Sequence, residues 1–109
     1  MSAQAGGPVV RLVRLYIRPE VVPDFDAWFA LHEEAIARSP GCQSLRLLTD
    51  CAPSPNGVVR VTWSVWESPA HLDAYRKSAL FGVVWPRTKT FFAAEPEVGT
   101  YAELTPGNA

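Results

Sequence analysis

Among the 109 residues only two are histidines, His32 and His71. An imidazole titrates near working pH, so a histidine facing a pocket can take a proton from a phenolic or enolic substrate. His32 lies in DFDAWFALHEEAI, at helical spacing with Phe25, Trp28, Phe29 and Ile36. These side chains share one apolar face of a predicted helix. Two readings follow. His32 is a base reaching into a cavity that Phe29 helps to wall, or it is a partly buried ring hydrogen-bonded to backbone. The triplet His32-Glu33-Glu34 opens like a zinc-binding helix motif, but Ile36 stands where the second histidine is required, so no metal is expected. His71 falls in the first turn of a later helix and is expected to be exposed.

A second group sits in SVWESPAHLDAYRKSALFGVVW, from Ser64 to Trp85. Trp66 ends a strand and can stack a flat aromatic ring, or simply cap the sheet as a core residue. Tyr75 follows on a helix and can aim its hydroxyl inward, or keep it wet at the boundary. Trp85 lies beside Pro86, where an irregular helix can cover a binding cavity or merely pack a rim. Alternation along VVRVTWSVWE places Arg60, Thr62, Ser64 and Trp66 on one side, and Val59, Val61, Trp63 and Val65 on the other. Arg14, Arg46 and Arg60 are expected on the Trp66 side, free to bind an acidic group or to form ion pairs. A slip of one residue in register would reverse that expectation.

The elements that must hold these residues follow from periodicity. VVRLVRLYIR reads as a strand that Pro19 ends. The stretch from Val21 to Ser39 reads as a helix with Asp24 and Asp26 near its positive end, stopped by Ser39-Pro40-Gly41. CQSLRLLTD and VVRVTWSVWE are strands joined through Asn56-Gly57, a strong turn signal, and so form a hairpin. Ser68 is an N-cap and Pro69 suits the first helical position. Gly82 and Pro86 are expected to break this second helix, up to Phe92. EPEVGTYAEL gives a short last strand. The order βαββαβ is the ferredoxin-like α+β arrangement: a four-stranded antiparallel sheet with helices on one face. One domain is expected over residues 9–104, with flexible tails at 1–8 and 105–109.

Composition excludes several classes. The net charge is -1, with ten basic and eleven acidic residues dispersed along the chain, a poor footprint for a nucleic acid. The RNA-recognition fold shares this element order, but VVRVTWSVWE lacks the glycine its third strand requires. No apolar run approaches the roughly 18 residues that span a bilayer. MSAQAGGP has no charged n-region and no apolar h-region. The expected setting is cytoplasmic, without nucleic-acid or membrane partners. Cys42 and Cys51 bracket a strand whose extended length of roughly 30 Å exceeds disulfide reach, so both thiols are expected to be reduced. No dinucleotide or phosphate-binding glycine loop is present, and no cofactor is expected.

Several short features resemble the antibiotic biosynthesis monooxygenase family. They are Pro19-Glu20 after the first strand, Ser39-Pro40-Gly41-Cys42, Trp66-Glu67-Ser68 leading to Leu72, Ala74-Tyr75 and Ser78, and the closing Phe92 with Pro96-Glu97. The likeness runs from about Val9 to Leu104. It implies a homodimeric α/β barrel, whose members include cofactor-independent oxygenases of quinols and anthrones and haem-degrading enzymes. Related barrels include polyketide cyclases and isomerases. Anthrone-oxidising members use an Asn where Thr62 stands, a Trp matching Trp66, and a Tyr where Leu72 stands. Haem-degrading members use a Trp matching Tyr75 and a His matching Trp85, so no axial ligand is expected here. The resemblance implies an oxygenase of a small electron-rich aromatic. From the residue reading above, His32 is the expected base, and Trp66 is expected with it at the chemistry. Phe29, Arg60, Thr62, Tyr75 and Trp85 are expected to contact the substrate. A cyclase or isomerase of the same barrel, or a non-catalytic binding protein, is the alternative.

Overall fold

The computed structural model describes residues 7–104. The remainder of the two expected tails, 1–6 and 105–109, lies outside the described residues. The elements are β1 (Val9–Ile17), a single 3-10 turn (Pro19–Val21), α1 (Val22–Ala37), β2 (Cys42–Thr49), β3 (Val58–Trp66), α2 (Pro69–Arg76), α3 (Ala79–Lys89) and β4 (Phe92–Ala102). The strands form one sheet in the order β2-β3-β1-β4, every pairing antiparallel. This is the expected ferredoxin-like α+β fold.

Two boundaries depart from the sequence reading. The break in the second helical stretch falls at Lys77-Ser78, not at Gly82 or Pro86. Ser78 ends one helix and begins the next: its hydroxyl donates to the Tyr75 carbonyl at 2.6 Å and accepts from the Phe81 amide at 3.1 Å. A hydroxyl that satisfies both ends is a stronger punctuation than a glycine, and Pro86 is carried inside α3. β4 is also longer than expected, at eleven residues. It is an edge strand, where Pro96 removes no required ladder bond.

The corner that leads from β3 into α2 is tightly specified. Ser68 caps α2 by accepting from the His71 amide at 3.2 Å, and its Oγ lies 2.8 Å from His71 Nδ1. His71 is therefore half-buried, not free in solvent, and its ring packs against Gly41. Gly41 has φ +83°, its carbonyl accepts from the Glu67 amide at 2.7 Å, and a Cβ there would collide with the His71 ring. Gly41→Ala is expected to cost about 1–3 kcal/mol, from left-handed strain plus the collision, read as a lower urea midpoint at unchanged slope.

Cross-strand register sets the two faces, because directly opposed residues share a side. Val9, Arg11, Val13 and Leu15 pair with Trp66, Ser64, Thr62 and Arg60 and face the helices. Arg14 pairs with Val61, and Arg46 with Trp63. Both point to the outer face, so the expectation that they join Trp66 is corrected. Arg14 is engaged there: Nη2 donates to Asp50 at 2.6 Å and Nε to the Tyr16 hydroxyl at 3.0 Å, while that hydroxyl donates to Glu97. Arg46 covers the Trp63 ring at 5.5 Å.

The layer between sheet and helices holds two hydrophobic clusters. The larger joins Leu15, Ile17, Phe25, Phe29, Ile36, Val84 and Phe91. The smaller joins Val9, Trp66 and Leu72, with Cys42 and Tyr75 packed against it.

Candidate functional site

A cavity of about 240 Å³ lies between the sheet and the helices, in contact with both clusters. Leu15, Phe25 and Phe29 wall one end, and Trp66, Leu72 and Tyr75 the other. A continuous ladder of rings runs along its wall and ends beyond the lining, at Phe92. Trp66 stacks on Tyr75 at 4.9 Å, Tyr75 meets Phe81 edge-on at 5.2 Å, Phe81 stacks on Trp85 at 5.9 Å, and Trp85 meets Phe92 edge-on at 5.8 Å. Such offset and edge-on geometries fix ring planes. Four of these five rings come from one run of the chain, folded at the Ser78 punctuation.

Polar groups inside the cavity are few. Trp66 is 1% exposed, and its indole N–H donates to Ser64 Oγ at 2.9 Å. Thr62 and Ser64 lie on β3 beneath the rings, and Thr88 closes the α3 side with its hydroxyl spent on the Val84 carbonyl. Burial, with the Cys42 thiol close by, pushes the Tyr75 phenol up to about 12. It is a neutral hydrogen-bonding group near pH 7 and not a base. Burial also pushes the Cys42 thiol up, and its Sγ donates to the Ser44 carbonyl. A thiol held protonated is a poor nucleophile.

Of the expected site residues, Phe29, Thr62, Trp66, Tyr75 and Trp85 meet at this one cavity. His32 and Arg60 do not. His32 stands on the Trp28 side of the buried arc of α1, roughly 20° around the helix from Phe25. Its ring lies tilted against Trp28, with centroids 4.7 Å apart, and Nδ1 lies 2.9 Å from the Trp28 carbonyl. A carbonyl only accepts, so that nitrogen carries the proton. His32 therefore stands outside the cavity lining, with its Nδ1–H satisfied by the backbone. Arg60 does share the inward face, but its Nε and Nη2 reach the two Asp26 oxygens at 3.0 and 2.9 Å. This bidentate pair ties β3 to α1 and leaves Arg60 outside the cavity lining.

Among the lining groups that the sequence does not single out are one aromatic ring and two cations. Phe81 was hidden because the helix break was placed too late. Arg11 and Arg76 also line the cavity. The alternation of β1 puts Arg11 on one side with Val9, Val13 and Leu15, and the pairing with β3 turns that side toward the helices. No Asp, Glu or His lines the cavity, and no cluster of three metal-ligating side chains occurs among the described residues. No helix among them is long and apolar enough to cross a membrane.

Fold and site define a ferredoxin-like α+β domain enclosing an aromatic-walled cavity between sheet and helices. The chain belongs to the antibiotic biosynthesis monooxygenase family, whose model matches residues 8–84. The fold is similar to that of Rv0793 from Mycobacterium tuberculosis, at 20% identity and TM-score 0.79, covering 94% of this chain and 100% of that one. A conserved protein from Methanosarcina mazei Go1 matches at 18% identity and TM-score 0.78, over 93% and 97% of the two chains. A candidate antibiotic biosynthesis monooxygenase from Nitrosomonas europaea matches at 17% and 0.77, over 94% and 96%. No curated protein matches the sequence.

Proposed function

We propose that the protein is a cofactor-independent oxygenase of a compact, electron-rich aromatic of quinol or anthrone type. The observation that carries this reading is the ring-walled cavity of about 240 Å³. That volume lies just under the usual range of roughly 300–1,000 Å³ for ligand cavities, which favours a compact, flat ligand. Trp66 and Tyr75 offer a face against which a flat substrate stacks, and apolar walls keep out water that would compete for it.

In this reading the substrate supplies the electrons. An anthrone-type methylene reacts with dioxygen to give the ketone and water. One oxygen atom enters the product, and the other leaves with both methylene hydrogens. The four electrons come from the carbon, so no external reductant is consumed. The cavity lacks a carboxylate or imidazole to remove the first proton. The substrate therefore enters already ionised or ionises beside the positive groups at the cavity. The chain's own contribution is orientation and electrostatics.

The test is dioxygen uptake with a panel of quinols and anthrones. The expected result is protein-dependent uptake with one labelled oxygen per product and no peroxide released. Uptake no faster than without protein, across the panel, overturns the reading. One observation favours a second reading, a small-molecule-binding protein without turnover: the cavity holds no acid–base residue. Ligand-dependent quenching of tryptophan fluorescence without uptake would distinguish it.

We also propose that the protein works as a homodimer through the outer sheet face. Val10, Leu12, Val61, Trp63 and Val65 stand there only partly covered, with Leu48 42% and Tyr101 55% exposed beside them. An apolar stretch of this kind, beside the paired Arg14 and the stacked Arg46, is costly to leave in water.

A further inference from the structure

Arg11 and Arg76 line the same cavity, and neither forms an ion pair among the described residues. The other cations near the sheet are spent. Arg14 is held by Asp50 and Arg60 by Asp26, and Arg46 lies over Trp63. Arg11 projects from the inward face of β1, between Val9 and Val13, opposite Ser64. Its Nη1 donates to Thr100 Oγ1 on β4 at 2.7 Å, which holds the side chain across the sheet while leaving its other donors unused. Arg76 ends α2 one residue after Tyr75. Burial and the neighbouring Arg76 charge both push the Arg11 guanidinium down. Two like charges beside an apolar cavity repel each other and are destabilising in the empty protein. A single anion between them would relieve that repulsion.

We infer that the cavity takes an aromatic carrying a carboxylate, with its ring against the Trp66–Tyr75 stack and its carboxylate between Arg11 and Arg76. This rests on the reading of the cavity as an aromatic-binding site and narrows its substrate class. A guanidinium presents paired donors that match a carboxylate's two oxygens. A permanent anion also fixes which edge of the ring points to the cavity mouth. It thereby orients the reactive carbon, which a featureless apolar cavity cannot do.

The test uses matched ligands, a hydroxynaphthoic acid and its primary amide, titrated by tryptophan fluorescence at low and high salt. The acid is expected to bind at least about tenfold tighter than the amide, because charge-assisted hydrogen bonds exceed neutral ones. The preference should shrink as salt screens the pair. Arg11→Met and Arg76→Met should each reduce it and leave amide affinity within about twofold, since the apolar stem is retained. Arg76 is exposed, so its variant keeps the fold even if the Arg11 variant does not. Equal binding of acid and amide overturns the carboxylate inference but leaves the aromatic cavity standing. Absence of binding by either ligand overturns both. A preference that survives both arginine variants overturns the assignment to these residues.

Discussion

Trp66→Ala is expected to remove about 3–5 kcal/mol of stability, a large part of the roughly 5–15 kcal/mol that holds a domain of this size. Three losses combine. The indole is 1% exposed, so its removal opens a void that the rigid sheet beneath cannot close. Tyr75 loses its stacking partner at 4.9 Å. Ser64 Oγ, itself buried, loses the donor at 2.9 Å that satisfied it. A melting temperature lowered by more than about 10 °C is the expected reading. Trp66→Phe separates these effects: it keeps a ring on Tyr75 but strands the Ser64 hydroxyl, for a loss of about 1–3 kcal/mol. Aromatic ligands should bind Trp66→Phe within a few-fold of the parent and fail to quench or saturate Trp66→Ala. A Trp66→Ala protein that melts within a few degrees of the parent would show that the indole is not a keystone between cavity and corner.

That prediction turns on a residue whose place was readable in advance, and the contrast with His32 shows why. The strand period of two leaves little freedom. Once Val59, Val61, Trp63 and Val65 are set on one side, Trp66 must lie on the other. A helix has a softer boundary. His32 falls within the same broad arc as Phe25 and Ile36, and only the packing of α1 decides that it faces Trp28 and not the cavity. Arg14 failed for a different reason. Its facing depends on the pairing of β1 with β3, a long-range fact that no local pattern contains. Arg60 was placed on the correct face, yet its partner Asp26 is 34 residues away, and the ion pair takes it out of use. The helix break at Ser78 is a competition between local signals. Gly82 and Pro86 are loud in sequence, but a serine able to bond both flanking helices outweighs them. The family's fold was thus legible from periodicity and turn residues. The polar fittings of the cavity were legible only where a strand's parity determined them.

Trp63→Glu is expected to turn a dimer into a monomer. Trp63 stands centrally on the outer sheet face, flanked on its own strand by Val61 and Val65 and across the sheet by Leu12 and Arg46. Both neighbouring strands present apolar or stacked side chains to it. No element of the same chain's helical layer reaches this side, and the ring stays partly exposed under Arg46. A carboxylate at that place would be desolvated if a second copy covered the face, and Arg46 alone would offset only part of the cost. Loss of a central aromatic anchor typically weakens association by 2 kcal/mol or more, which is at least about thirtyfold in the dissociation constant. The same change on a face open to water would cost little, because the side chain could remain hydrated. Sedimentation of parent and variant at matched micromolar concentrations therefore discriminates the two cases. Leu31→Glu serves as the control, since Leu31 is 80% exposed on α1, in the helical layer. The expected pattern is a dimeric parent, a monomeric Trp63→Glu with native circular dichroism, and a dimeric Leu31→Glu. A parent that sediments as a monomer at tens of micromolar would sink the sheet-face dimer. So would a Trp63→Glu variant whose self-association is unchanged.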